Sequence, residues 1–233
     1  MNKKIKIILI AAIILVLAVS IFYFCDYQHS QPIVNDYMNG TGNVSVSEVS
    51  NGLFIDGPGN DTALIFYPGA KVEYTSYLPM LVELSNSGVD CYLVEMPFNF
   101  AFFGADSADS IISNSNYSHY IMAGHSLGGV VASSYANKTD DVDGLILFAA
   151  YPTDRIDKPV LSIYGSNDKV LNIETYDDSK HLMNNMTEFV IDGGNHAQFG
   201  YYANQSGDGT ANITAENQQN QSVGKILEFV NSF

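Results

Sequence analysis

Three residues that lie far apart in the chain could together carry out nucleophilic catalysis: Ser126, Asp168 and His196. A serine hydroxyl is a weak nucleophile. It becomes effective when a histidine takes its proton and a carboxylate orients that histidine. Serine, acid, histidine is one of the chain orders in which such a set occurs. The sequence therefore predicts acyl transfer through Ser126, provided that the fold brings the three side chains together.

The residues around Ser126 form a G-x-S-x-G pattern, with Gly124 and Gly128 two positions away on either side. The pattern follows an apolar run over 120–123 and precedes a helix-compatible run over 130–136. A serine at a sharp strand-to-helix turn has a strained backbone, so the residues two before and two after it must lack bulky side chains. Glycine and serine are common residues, and the bare pattern also arises by chance. Its strand-turn-helix setting makes it predictive of a nucleophile.

Two backbone N–H groups are expected to stabilise the oxyanion that forms when a serine attacks a carbonyl. Leu127 follows the serine at the start of the predicted helix, where N–H groups have no partner within the helix. The second donor is expected from Ala70, in a glycine turn after the predicted strand 63–67. An ordinary turn between strand and helix is the alternative for this second stretch.

Asp168 and His196 both lie in loops that follow predicted strands, at 160–164 and 189–191. The carboxyl ends of parallel strands meet at one edge of a sheet, and Ser126 belongs to the same edge. An acid in a turn is often only a helix cap, and a lone loop histidine is often inert. The chain order and the strand-end positions favour an orienting carboxylate and a general base. The other histidines, none of which has the position of a base, are His29, His119, His125 and His181.

Apolar strands alternate with helical stretches along most of the chain. This alternation predicts an α/β fold with a mostly parallel, twisted sheet covered by helices on both faces. The length suits one such domain of about 200 residues. Strands are predicted at 44–49, 53–56, 63–67, 91–95, 120–123, 144–149, 160–164 and 189–191, and helices at 74–86, 106–115, 130–136 and 215–233.

Residues 1–25 predict a membrane anchor or a signal segment. Three lysines, at positions 3, 4 and 6, precede an apolar run over 7–24 that approaches the ~20 residues needed to span a bilayer. Positive charge before the run places the N-terminus inside and the rest of the chain outside. A cleaved signal peptide, with processing near Ala18-Val19-Ser20, is the alternative. The apolar run continues past that point, which favours an uncleaved transmembrane helix. Residues 26–50 are expected to form a polar tether and 51–233 the catalytic domain.

The charge and the cysteine content exclude several functional classes. The net charge is −15, and only 7 basic residues stand against 25 acidic ones once the three N-terminal lysines are set aside. Such a domain is poorly suited to nucleic acid or to an anionic membrane surface. Cys25 and Cys91 are the only cysteines, and no Cys or His cluster has metal-ligand spacing. We expect no metal, no cofactor and no nucleic acid, and as partners a small acyl substrate and a membrane.

An aromatic stretch over 99–105 is expected to wall an apolar substrate pocket, although burial beneath the loop is an equal alternative. Only ten residues, 150–159, separate the predicted strand 144–149 from the predicted strand 160–164 that precedes Asp168, too few for an inserted lid domain. The phenylalanines considered for the pocket are Phe98, Phe100, Phe102, Phe103 and Phe199.

Taken together, these motifs resemble the α/β-hydrolase superfamily, and more narrowly its small fifth family of bacterial and archaeal proteins. The resemblance covers about 52–233 and rests on the stretches 67–73, 96–99, 124–129, 164–168 and 193–200, with 207–209, Gln218 and Gln219 matching the family's C-terminal pattern. It implies a lidless serine hydrolase with Ser126, Asp168 and His196 as its triad. Esters are favoured as substrates because they need the least help in expelling the leaving group. Amidase, thioesterase or acyltransferase activity, or a catalytically silent membrane-tethered binding domain, are the alternatives.

Overall fold

The computed structural model describes residues 3–59 and 61–233, and its centre is one eight-stranded sheet. The strands are β1 Ser45–Val49, β2 Gly52–Asp56, β3 Thr62–Tyr67, β4 Asp90–Val94, β5 His119–His125, β6 Gly144–Phe148, β7 Val160–Gly165 and β8 Met186–Ile191. Their order is β1-β2-β4-β3-β5-β6-β7-β8. The β1–β2 and β2–β4 pairs are antiparallel and all other pairs are parallel. Met1, Asn2 and Asn60, which fall within the predicted segments 1–25 and 51–233, lie outside the described residues.

Helices cover both faces of the sheet, which confirms the predicted fold class. The helices of the domain are α2 Leu78–Asn86, α3 Ser107–Asn114, α4 Leu127–Lys138, α5 Ile173–Ser179 and α6 Ala215–Val230, with α1 Lys3–Cys25 ahead of the domain. Side chains of α2 and α6 share one core with Leu64 and Phe66 of β3, whereas those of α3 and α4 share a second core with Ile65 and Tyr67. These four β3 side chains are completely buried. Burial on both faces explains why the parallel strands are continuous apolar runs.

Among the element boundaries that differ from the sequence prediction, two have a clear physical reason. The helix expected from residue 74 starts as a 3₁₀ turn, Tyr74–Tyr77, and α2 begins only at Leu78. Pro79, which lacks an N–H, occupies the first turn of α2, where that donor is not needed. β8 begins at Met186, three residues earlier than predicted, because it is an edge strand and its first half is partly exposed. Without full burial, that half shows no apolar run.

The segment 26–50, predicted as a polar tether, packs against the domain. Gln28 forms a parallel β-bridge with Val72, and the last residues of the segment form β1 at the edge of the sheet. Val34 and Val44 are buried in the core. These isolated valines in a polar stretch give no periodic pattern, so the sequence does not predict their contacts with the core. The domain is consequently held close to the end of α1.

Helix α1 is the one helix among the described residues that is long and apolar enough to cross a membrane. A signal sequence near an N-terminus meets the same criterion. The large apolar side chains of α1 are exposed along most of the helix. The exposed surface of α1 therefore suits an apolar environment.

Candidate active site

Ser126 lies at a strained turn between β5 and α4. Its φ is 52° and its ψ is −124°, a conformation rarely adopted by a residue with a side chain. A Cβ atom on Gly124 would lie 2.6 Å from the backbone of Gly128, and one on Gly128 would lie 2.2 Å from the carbonyl oxygens of Tyr67 and Pro68. The two glycines are thus required by the close approach of the turn to its neighbours. This is the strained strand-to-helix turn that the motif predicts, and we call it the elbow.

Asp168 and His196 form a buried hydrogen-bonded pair. The His196 Nδ1 atom lies 2.8 Å from Asp168 Oδ2, and the two side chains are 1% and 2% exposed, respectively. The other carboxylate oxygen of Asp168 accepts hydrogen bonds from the N–H groups of Val170 and Leu171, both at 2.8 Å. Each oxygen of Asp168 therefore has a defined partner, and the pair fixes the orientation of the imidazole.

Ser126 and His196 line the same cavity, of about 220 Å³. The Nδ1 atom of His196 faces Asp168, so its Nε2 atom lies on the opposite side of the ring. Within the described residues, Nε2 is buried and has no hydrogen-bond partner, Ser126 included. Such bonds often tighten only when a substrate is bound. The fold thus brings the three predicted residues to one edge of the sheet and leaves one imidazole nitrogen free for a proton.

The cavity wall comes mostly from residues that the sequence analysis did not single out. Leu127 and Val130 contribute from α4, and the loops after β6 and β7 supply the rest: Ala149, Ala150, Tyr151, Val170, Leu171 and Asn172. The chain between β6 and β7 forms no lid domain. Within residues 3–59 and 61–233, no group of three or more His, Cys, Asp or Glu side chains could hold a metal ion. The site is therefore a shallow, mainly apolar crevice around a serine and a histidine.

The turn that contains Ala70 leaves one backbone donor unused. The N–H of Gly69 donates to Tyr77 Oη at 3.2 Å, and the N–H of Lys71 donates to the carbonyl oxygen of Asn99 at 2.8 Å. The N–H of Ala70 lies between these two and, in the described part of the chain, donates no hydrogen bond. Ala70 lines a different cavity from Ser126, and the two cavities share no lining residue. Leu127, whose N–H is equally unbonded, lines the Ser126 cavity.

His125 is a neighbour of the site that sequence reasoning set aside. Its side chain is buried, its Nδ1 atom lies 2.8 Å from Tyr77 Oη, and its ring centroid is 4.5 Å from that of His196. Burial, and then the charge of His196, lower the pKa of His125 well below its usual range. A Cβ atom on Gly69 would lie 2.9 Å from His125 Nδ1, so this glycine makes room for the contact. His125 directly precedes Ser126, which is the signal that could have drawn attention to it.

The loop that carries His196 is held by two side chains from the C-terminal part of the chain. The Asp208 carboxylate accepts hydrogen bonds from the N–H groups of His196 (3.3 Å) and Ala197 (2.9 Å). The Gln218 amide accepts from the Asn195 N–H at 3.0 Å and donates to the Asn195 carbonyl oxygen at 2.7 Å. The C-terminal pattern noted in the sequence thus positions the histidine.

The aromatic residues expected to line the pocket lie elsewhere. Phe199 is fully buried in the core, and the other four belong to the loop between β4 and α3. None of the five is among the residues that line the Ser126 cavity. Two consecutive residues of the loop, Phe98 and Asn99, have a left-handed backbone, with φ of 57° and 56°. Phe98, Phe102 and Phe103 are exposed on the surface.

Comparison with solved structures finds related folds at low sequence identity. A predicted CIB-like hydrolase from Thermoplasma acidophilum is 14% identical, with a TM-score of 0.62 over 78% of this chain and 98% of that chain. A membrane phospholipase A, described as a bacterial virulence factor, is 12% identical, with a TM-score of 0.60 over 96% and 99%. A serine hydrolase involved in carbazole degradation is 13% identical, with a TM-score of 0.59 over 82% and 100%. At these identities the likeness concerns the fold alone.

Comparison with curated protein sequences finds no match. A family model described as the alpha/beta hydrolase family matches residues 63–220, which is more than half of the chain. The matched range contains Ser126, Asp168 and His196 and extends from β3 into α6. The chain therefore belongs to the alpha/beta hydrolase family.

Proposed function

We propose that the protein is a serine hydrolase that cleaves carboxylic esters through an acyl-enzyme, with Ser126, His196 and Asp168 as nucleophile, base and orienting acid. One observation carries the proposal. Asp168 binds the imidazole of His196 on Nδ1 at 2.8 Å, and the unpartnered Nε2 belongs to a residue that lines the same cavity as the strained Ser126. A buried polar nitrogen without a hydrogen-bond partner lowers the stability of the fold, and a catalytic role is one explanation for keeping it.

The reaction follows from this arrangement. The Nε2 atom of His196 takes the proton of the Ser126 hydroxyl while the oxygen attacks the ester carbonyl. The N–H of Leu127 and, as second donor, that of Ala70 stabilise the oxyanion of the tetrahedral intermediate. As the intermediate collapses, the protonated His196 gives its proton to the departing alcohol, and an acyl-enzyme remains. Water, deprotonated by His196, then releases the carboxylic acid and restores the serine.

Esters are the substrates that the site suits best. An alkoxide leaves far more readily than the nitrogen anion of an amine, so an ester depends less than an amide on protonation of its leaving group by His196. The small apolar wall of the cavity, with Val130, Ala149 and Ala150, suits an acyl chain. The names of two relatives in fold, a phospholipase and a serine hydrolase, are in keeping with this class. Amide or thioester hydrolysis and acyl transfer use the same three residues and differ only in the leaving group or the acceptor.

We further propose that α1 stays attached and anchors the catalytic domain on the outer side of the membrane. A helix of 23 residues is about 34 Å long, enough to cross the apolar part of a bilayer. The positively charged Lys3, Lys4 and Lys6 at its start favour the inner side for the N-terminus, which puts the domain at the other end of α1 on the outer side. A secreted domain released after signal cleavage is the second candidate, because α1 also meets the criteria of a signal sequence.

Turnover of acyl esters of graded chain length by the full chain in detergent tests the proposed activity. We expect hydrolysis by the native protein, and a loss of about 10³-fold or more in the Ser126→Ala variant. Ser134→Ala, on the same helix, is the matched control and should retain activity. Equal loss in both variants, or retained activity in Ser126→Ala, would contradict the proposal.

A further inference from the structure

The C-terminal end of α1 packs on the aromatic loop between β4 and α3. The Phe24 ring lies 5.2, 5.8 and 6.1 Å from the rings of Phe98, Phe100 and Phe103, respectively. The Tyr23 ring stacks on that of Phe100 at 6.2 Å. The end of the apolar helix and the loop thus form one continuous aromatic surface.

Much of this surface has no partner within the described residues. Phe98, Phe102 and Phe103 are 61%, 63% and 56% exposed, respectively. We call these three residues the aromatic platform. The stretch 96–105 around them contains no charged side chain. Three neighbouring, largely exposed phenylalanines form the kind of apolar patch that marks an interaction site.

The connection between α1 and the domain is too short to let the platform move far from the helix end. α1 ends at Cys25, and Gln28 already belongs to a β-bridge with the domain. Three residues span about 10 Å at most. Lys71 reinforces the junction, since its Nζ atom lies 3.0 Å from Asp26 Oδ2 and 4.6 Å from the centre of the Tyr23 ring. The platform therefore lies level with the end of α1.

We propose that the aromatic platform docks on the lipid surface of the membrane that α1 spans, at the level of the head groups. This inference rests on the proposed anchor. Aromatic side chains concentrate at this level of membrane proteins, because their rings suit the interface between hydrocarbon and water. Continuity with α1 favours lipid over a second copy of the chain. The uncharged loop can approach the bilayer even though the domain as a whole is acidic.

Docking has a consequence for the substrate. The N–H of Lys71 donates to the carbonyl oxygen of Asn99 in the aromatic loop at 2.8 Å. The turn that contains Ala70, the proposed second oxyanion donor, is therefore bonded to the docked loop. The turn of Ala70 is thereby held near the membrane surface. The ester substrates within its reach there are amphiphilic acyl esters, whose polar groups lie at the lipid head groups.

The absence of tryptophan from the sequence permits a sharp test of docking. Three single Phe→Trp variants of the full chain are placed in lipid nanodiscs, with and without phosphatidylcholine brominated near the head group, which quenches tryptophan on contact. Phe102→Trp reports on the platform and Phe22→Trp on α1. Phe233→Trp is the matched control, because Phe233 lies beside Gly144, at the opposite edge of the sheet from Ser126.

We expect Phe102→Trp to lose fluorescence in brominated lipid to an extent similar to Phe22→Trp, and Phe233→Trp to be unaffected. Quenching of Phe22→Trp without quenching of Phe102→Trp would overturn docking and leave the anchor intact. No quenching of either would overturn both. A blue-shifted but unquenched Phe102→Trp spectrum would mean that protein, such as a second copy, covers the platform, and would also overturn the proposal.

Discussion

The imidazole of His125 lies against that of His196, with ring centroids 4.5 Å apart and 48° between the ring planes. The side chain of His125 is buried, and its pKa is lowered well below the usual range, first by burial and then by the charge of His196. His125 is consequently neutral at working pH. The proposed base thus packs against an uncharged ring and does not meet a second positive charge when it takes a proton.

The depressed pKa of His125 predicts a pH dependence of stability. In the unfolded chain this histidine titrates near pH 6.5, whereas in the folded chain it stays neutral to lower pH. Below about pH 6.5 the unfolded state binds the extra proton, so the free energy of unfolding falls by up to about 1.4 kcal/mol per pH unit. Urea unfolding at pH 7.5 and 5.5 should show a smaller loss for His125→Gln than for the native chain. The exposed His181→Gln control should match the native chain, and an unchanged loss in His125→Gln would refute the assignment.

Removal of the Asp208 carboxylate should lower kcat with little effect on KM. The carboxylate holds the backbone on which His196 is mounted, so its loss misplaces the base without touching the substrate. We expect a loss of about 10- to 100-fold in kcat for Asp208→Ala. Asp208→Asn should recover part of it, because the amide oxygen still accepts a hydrogen bond. An effect confined to KM, or no recovery in Asp208→Asn, would argue against a positioning role.

The losses caused by His196→Ala and Asp168→Ala should not add. Asp168 acts through the imidazole that it orients, so its removal has little further effect once His196 is absent. A double-mutant cycle on kcat/KM measures this coupling. Independent, additive losses would mean that the two residues do not act as one unit with Ser126.

Substitution of Gly128 by alanine should destabilise the domain. The new Cβ atom would lie 2.2 Å from two backbone carbonyl oxygens, which cannot move aside as a flexible side chain can. We expect a loss of about 2 kcal/mol or more in the free energy of unfolding. Gly224→Ala in α6 is the matched control, since nothing lies within 4 Å of its added atom. That change should be neutral or should stabilise by about 0.5–1 kcal/mol. Equal effects in the two variants would contradict the close packing of the elbow.

The parts of the fold that sequence analysis predicted are those with strong local signals. The buried parallel strands are continuous apolar runs, and the elbow at Ser126 requires glycines at fixed spacing. The contacts that it missed join residues far apart in the chain. Tyr77 reaches His125 across 48 positions, and the valines of the segment 26–50 enter the core singly. No periodic pattern in the sequence predicts such contacts.

The aromatic loop between β4 and α3 shows a further limit on what amino-acid composition can predict. Phe100 and its neighbours are as apolar as a pocket wall, and only the contact with Phe24 shows that they face the helix end. Apolar content predicts that a partner covers such residues. It does not say whether that partner is a substrate, the core or a membrane.

Covalent labelling of Ser126 tests the proposed nucleophile most directly. The full chain is treated with a fluorophosphonate, and the mass of the intact protein and of its peptides is measured. We expect one adduct per chain, on Ser126, and none in a folded Ser126→Ala variant. Labelling of that variant to the same extent as the native chain, or an adduct on a different residue, would contradict the assignment of Ser126 as the nucleophile.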